Sequence, residues 1–149
     1  MGPSGMEQSR QLTVPARFER LAQIAEFVTQ AARESGLSED DVFHVEMAVD
    51  EACSNVIEHA YAERAGDIDL ECRCPEQGQF EIVIRDSGEP FDPDAVPLPQ
   101  VSADMDLDEL SEGGLGLYFM RKLMDEVRFE SVPGQGNVLR MTKHARESQ

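Results

Sequence analysis

The chain has 149 residues, 13 of them Lys or Arg and 30 Asp or Glu, for a formal net charge of −17. That length suits one domain with a sizeable core, and a 40% apolar content set in periodic segments excludes a disordered chain. The acid excess argues against nucleic acid or an anionic membrane as a partner, since both need a positive footprint; it fits a basic or mixed-charge protein partner, or solubility alone.

No apolar run approaches the roughly 18 residues of a membrane span, and no signal peptide precedes the first periodic segment, so the expected location is cytoplasmic. The cysteines Cys53, Cys72 and Cys74 are odd in number and lack CxxC spacing, which argues for reduced thiols rather than disulfides or zinc. Residues 1–10 read as a disordered or expression-derived N-terminus, 11–143 as one domain and 144–149 as a C-terminal tail.

Along the chain, Gln11 to Val14 predicts an opening strand. Phe18 to Ser35 has helical periodicity through Leu21, Ile24, Ala25 and Val28, and Gly36 stands where a helix C-cap belongs. Ser38 with Asp41 resembles a capping box that opens a second helix, whose apolar stripe is Val42, Val45, Val49, Ala52 and Val56. Asp67 to Cys74 and Gln79 to Arg85 predict a hairpin through Glu76-Gln77-Gly78, with Ile82-Val83-Ile84 buried on both faces. Phe91 to Glu112 is proline- and acid-rich and longer than an ordinary connection, as a functional lid would be. Leu115 to Val127 predicts a third helix, and Arg128 to Val132 with Asn137 to Thr142 a closing hairpin. Clustered strands and helices in this order predict an α+β two-layer sandwich, a mostly antiparallel sheet covered by about three helices.

Three local patterns carry chemistry. Glu51 and Asn55 lie four apart beside the stripe of the second helix, so a carboxylate and a carboxamide share one face at the rim of the core. The carboxylate can accept a proton or orient water, and the amide oxygen can ligate a hard cation. Asp86-Ser87-Gly88 ends a central strand; Asp86 can accept from an exocyclic amine and Gly88 lets backbone approach a flat base, although Asp-Ser-Gly is also an ordinary turn. Glu112-Gly113-Gly114-Leu115-Gly116-Leu117 opens a helix, where free N–H groups and the positive dipole end suit phosphate, although a glycine run can be a simple hinge. GxxxxGK[ST] and an early GxGxxG are both missing, which excludes P-loop and Rossmann sites; the two lysines, Lys122 and Lys143, stand at no P-loop position.

In this order the three patterns resemble the GHKL (Bergerat-fold) ATPase superfamily. Glu51 and Asn55 match its N box, Asp86 and Gly88 the start of its G1 box, and Gly113-Gly114-Leu115-Gly116-Leu117 its G2 box. Within the superfamily the chain is most similar to anti-sigma-factor serine/threonine kinases of the RsbW and SpoIIAB type, through Glu51-Ala52-x-x-Asn55-x-x-x-His59-Ala60-Tyr61, Gly88-x-Pro90-Phe91-Asp92-Pro93, and Gly114-Leu115-Gly116-Leu117-x-x-Met120-Arg121-x-Leu123-Met124-Asp125-Glu126-Val127. The resemblance spans Leu12 to Lys143. It departs at Pro90, which replaces the second G1 glycine.

The resemblance implies ATP and Mg2+ as cofactors. It makes Glu51 the general base toward a substrate hydroxyl, Asn55 the Mg2+ ligand and Asp86 the adenine contact. Gly88 and residues Gly113, Gly114, Leu115, Gly116 and Leu117 would bind nucleotide, under a lid at about 91–112. It implies a sigma factor and a STAS-type antagonist as partners, the latter phosphorylated on serine or threonine, and commonly a homodimer. Two competing readings stay open: a nucleotide-dependent binding switch without kinase activity, and a detached histidine-kinase catalytic domain. The second lacks a dimerising helical hairpin before Phe18. His59 and Arg121 read as a core-edge histidine and a solvated surface arginine, His44 and His144 have no ligand-spaced partners, and Met120 and Met124 read as core or a partner-facing stripe.

Overall fold

The computed structural model of the protein describes residues 9–60, 66–88, 120–132 and 134–145, with residues 59, 60 and 132 as backbone only. Five strands form one sheet: β1 (Arg10–Pro15), β2 (Asp67–Arg73), β3 (Gln79–Asp86), β4 (Glu126–Val132) and β5 (Gly136–His144). Their spatial order is β1-β2-β3-β5-β4, and every neighbouring pair is antiparallel. Two long helices, α1 (Leu21–Glu34) and α2 (Glu39–Asn55), pack together over one face, and a short helical segment at residues 120–123 adds Met120 to the same core. This is the α+β two-layer arrangement expected from the order of periodic segments.

Strand alternation sends one set of side chains under the helices. Ile68, Leu70 and Cys72 of β2, Phe80, Ile82 and Ile84 of β3, and Leu139 and Met141 of β5 are buried in one cluster with Ile24, Val28, Val42, Val45, Val49 and Ala52 of the helices. Burial of each large aliphatic side chain contributes roughly 1.5–3 kcal/mol, so this shared cluster dominates the stability of the fold. The opposite face carries cross-strand charge pairs. Arg85 reaches Asp69 at 3.4 Å and Glu71 at 3.1 Å, and Arg73 pairs with Glu81. Val83, pointing to that face, is nonetheless fully buried, so Ile82-Val83-Ile84 is enclosed on both sides as its run of β-branched residues predicts.

Local signals set the helix ends. Gly36 adopts φ 95°, its N–H donates to the Arg33 carbonyl at 3.0 Å, and the Leu37 N–H donates to Ala32 at 3.4 Å. These paired bonds close α1 with a Schellman motif that a left-handed residue permits. The Ser38 hydroxyl accepts from the Asp41 N–H at 3.2 Å and caps α2. Asp41 does not complete the reciprocal half of a capping box; its carboxylate turns inward, 3.9 Å from Lys143 Nζ and 3.9 Å from His44 Nδ1.

Several element boundaries differ from expectation. β1 starts at Arg10, inside the span read as a terminal tail, and β5 runs to His144, the first residue of the C-terminal one. Phe18–Arg20 forms a 3-10 turn before α1. The third helix, expected to reach Val127, stops at Leu123, and β4 takes over from Glu126. The cause is a clasp from β5: the Asp125 N–H donates to the Thr142 carbonyl at 2.9 Å, the His144 N–H donates to Asp125 Oδ2 at 2.6 Å, and Lys143 Nζ donates to the Leu123 carbonyl. Tertiary bonds end a segment whose local periodicity would have continued. Met120 and Met124 are buried in the common core, the first of their two expected places.

Candidate functional site

Glu51 and Asn55 occupy the last turn of α2, one turn apart, and both are half-buried. Ala52 and Cys53 between them are buried in the core, which fixes this flank of the helix at the core rim as the stripe pattern predicts. Directly after Asn55 the backbone widens into a π-helical turn, Val56–Ala60, a form that recurs at functional sites. Burial raises the pKa of Glu51 above the ordinary 4.5, and the negative charges of Asp50 and Glu58 raise it further. Among the described residues no cation pairs with Glu51. A carboxylate in that setting holds a proton more readily than a solvated glutamate, the property asked of a base.

Asp86 is the last residue of β3, the central strand of the sheet. Its Oδ1 accepts from the Gly88 N–H at 2.9 Å and from Asn137 Nδ2 at 2.9 Å. Asn137 faces Asp86 across the β3–β5 ladder, so strand register brings the pair together. The preceding Gly136 adopts φ 109°, and a Cβ there would stand 2.0 Å from the Asp86 carbonyl oxygen and 2.7 Å from Ser87 Cα. Only glycine lets β5 begin this close to the Asp86-Ser87 backbone.

Gly113, Gly114, Leu115, Gly116 and Leu117 lie outside the described residues, as do Pro90, Tyr61 and the lid at 91–112. The side chain of His59 also lies outside them. Arg121 is described and exposed, in keeping with a solvated surface arginine. His44 Nδ1 lies 3.4 Å from Lys143 Nζ, distant in sequence, and 3.9 Å from Asp41, three residues before it on α2. In the sequence Asn137 reads as the start of an ordinary strand and Gly136 as the end of the hairpin turn before it, so neither carries a site signal. The signal that could have found them is the hairpin register, which sets Asn137 opposite Asp86.

These residues fit a nucleotide and its cation. Asp86 is held as an acceptor at a strand end, the group that an exocyclic amine of a flat base requires. Among the described residues no group of three or more His, Cys, Asp or Glu could hold a metal by itself. A divalent cation at Asn55 would therefore draw its remaining ligands from phosphate and water, the usual habit of Mg2+. Burial drives the thiols of Cys53 and Cys72 up to about 12, so both stay protonated and outside any chemistry at neutral pH. No described helix is long and apolar enough to cross a membrane.

Residues 14–143 match the family described as "Histidine kinase-like ATPase domain". The chain is 37% identical over 135 residues to a serine-protein kinase RsbW of Halalkalibacterium halodurans, covering 89% of this chain and 81% of that one. It is 35% identical over 137 residues to the RsbW of Bacillus subtilis, covering 90% and 84%. Among solved structures, the RsbU and RsbW domains of a Mycobacterium tuberculosis protein superpose with a TM-score of 0.66 at 18% identity, over 95% of this chain and 34% of that longer one. The mycobacterial sensor histidine kinase MprB superposes with a TM-score of 0.54 at 12% identity, over 92% of this chain and 100% of that one. Both structural likenesses speak to the fold. The chain belongs to the histidine kinase-like ATPase family, a family of ATP-using enzymes, in its branch of RsbW serine-protein kinases.

Proposed function

We propose that the protein is an ATP- and Mg2+-dependent serine/threonine kinase and anti-sigma factor. Its phosphoacceptor is a STAS-type antagonist, its other partner is a sigma factor, and it works in the cytoplasm as a homodimer. The active domain spans 11–143 with the lid at 91–112. The observation that carries the reading is the half-buried Glu51, with raised proton affinity, one helical turn before the Asn55 carboxamide.

In this reading Glu51 receives the proton of a partner serine or threonine hydroxyl. The hydroxyl oxygen forms a bond to the γ-phosphorus as the bond to the leaving ADP oxygen breaks. Little covalent help is needed in phosphoryl transfer, so the side chains position groups and balance charge. Asn55 Oδ1 would hold the Mg2+, which would neutralise charge on the phosphates. Asp86 takes the adenine amine, Gly88 leaves room for the ring, and Gly113, Gly114, Leu115, Gly116 and Leu117 bind the phosphates through their backbone N–H groups.

The test is incubation with γ-labelled ATP and STAS proteins of the source organism, followed by mapping of the labelled residue. Label on a serine or threonine of one STAS protein is expected. ATP binding without transfer to any of them would favour a nucleotide-dependent switch, and label on histidine would place the chain with the sensor kinases.

A further inference from the structure

We infer that Asn137 is a positioning residue for nucleotide recognition, acting through Asp86 rather than on catalysis. The inference rests on the reading of Asp86 as the adenine contact and adds how that contact is aimed.

Three observations converge on Asp86. Asn137 Nδ2 and the Gly88 N–H each donate to Asp86 Oδ1 at 2.9 Å, from opposite sides in the sequence. The β3–β5 register fixes Asn137 directly across from Asp86, so the amide arrives from a rigid strand rather than a loop. Gly136 brings the β5 backbone so close to the Asp86 carbonyl that no side chain could intervene. Two donors on Oδ1 hold the plane of the carboxylate, and among the described residues no group donates to Oδ2. The oxygen left over is the one that can meet an exocyclic amine. An unheld aspartate would sample several χ2 settings and lose entropy on binding; one held in place does not.

The chemistry at Asn137 is specific. The amide is a donor toward the carboxylate, so an isosteric Asn137→Asp change removes the donor and sets a second acceptor against Asp86 without changing volume. Asn137→Ala removes the donor and leaves space. Both changes leave the side chains of Glu51 and Asn55 themselves unaltered.

The experiment measures binding of ATP and of purine riboside triphosphate, which lacks the 6-amino group, to the wild-type protein and to the Asn137→Ala, Asn137→Asp and Asp86→Asn variants. Both Asn137 variants are expected to weaken ATP on the order of tenfold, the size of one lost hydrogen bond to a charged group, while affinity for the deamino nucleotide stays the same. Equal weakening of both nucleotides, or of neither, would overturn the positioning role, because a structural defect has no reason to single out the amine. Asp86→Asn separates the two levels. If it removes the preference for ATP and the Asn137 variants keep it, the positioning role fails alone. If Asp86→Asn leaves the preference intact, the adenine reading of Asp86 fails and the positioning role falls with it.

Discussion

The two ends of α2 carry carboxylates in opposite situations. At the N-terminal end Asp41 is 1% exposed, lies 3.9 Å from Lys143 Nζ and sits in the first turn, where the helix dipole favours negative charge. At the C-terminal end Glu51 is half-buried, and that burial, with Asp50 and Glu58 nearby, raises its proton affinity. One carboxylate stands beside a buried lysine; among the described residues no cation pairs with the other, which is the base of the proposed reaction. On the proposed function, desolvation of a carboxylate serves packing at one end of a single helix and chemistry at the other.

The largest expected effect is at the reactive end. Asn55→Ala removes the amide oxygen offered to Mg2+ and should lower Mg2+-dependent phosphate transfer by about a thousandfold, read from initial rates against Mg2+ concentration. Retained activity with an unchanged Mg2+ dependence would remove Asn55 from the site.

Next comes the structural end. Lys143→Met leaves Asp41 buried without its cation and takes the cap from the Leu123 carbonyl, so guanidinium melts should show a loss of about 3 kcal/mol. Adding Asp41→Asn should return part of that loss. Additive losses in the double variant would mean that the two side chains act independently.

A smaller effect is expected from Ser38→Ala, about 1 kcal/mol of stability, since it removes the one side-chain cap on α2 without touching the core. The subtlest is the pH dependence of Glu51. A carboxyl with higher proton affinity folded than unfolded binds more protons in the folded state between the two pKa values, so stability falls as pH rises through that window. Glu51→Gln should therefore melt higher than wild type at neutral pH, with the gain fading as pH falls toward 4.5, the ordinary glutamate value. A gain independent of pH would mean that charge at this position is not the cause.

Much of this was legible in the residues themselves. Leu21, Ile24, Val28 and Val42, Val45, Val49 carry helical periods that the core absorbs, and Gly36 and Ser38 punctuate the join as their chemistry dictates. Glu51 and Asn55 could be placed on one flank because their spacing is local. What the order of residues did not display was pairing between strands. Asn137 meets Asp86, and Lys143 meets Asp41, His44 and Leu123, only through sheet register and helix packing. For the same reason the helix after the glycine cluster was drawn too long. Its end is set by bonds from Thr142, Lys143 and His144, not by its own period.

The central claim is that Glu51 is a base poised by its surroundings and not a bystander on the core rim. Its most direct test is a single-turnover measurement of phosphate transfer from ATP to the STAS partner by Glu51→Gln, alongside nucleotide affinity for the same variant. A fall of at least about a hundredfold in transfer rate with affinity unchanged is the predicted result. Transfer at the wild-type rate would contradict it and return the proton to water or to another group.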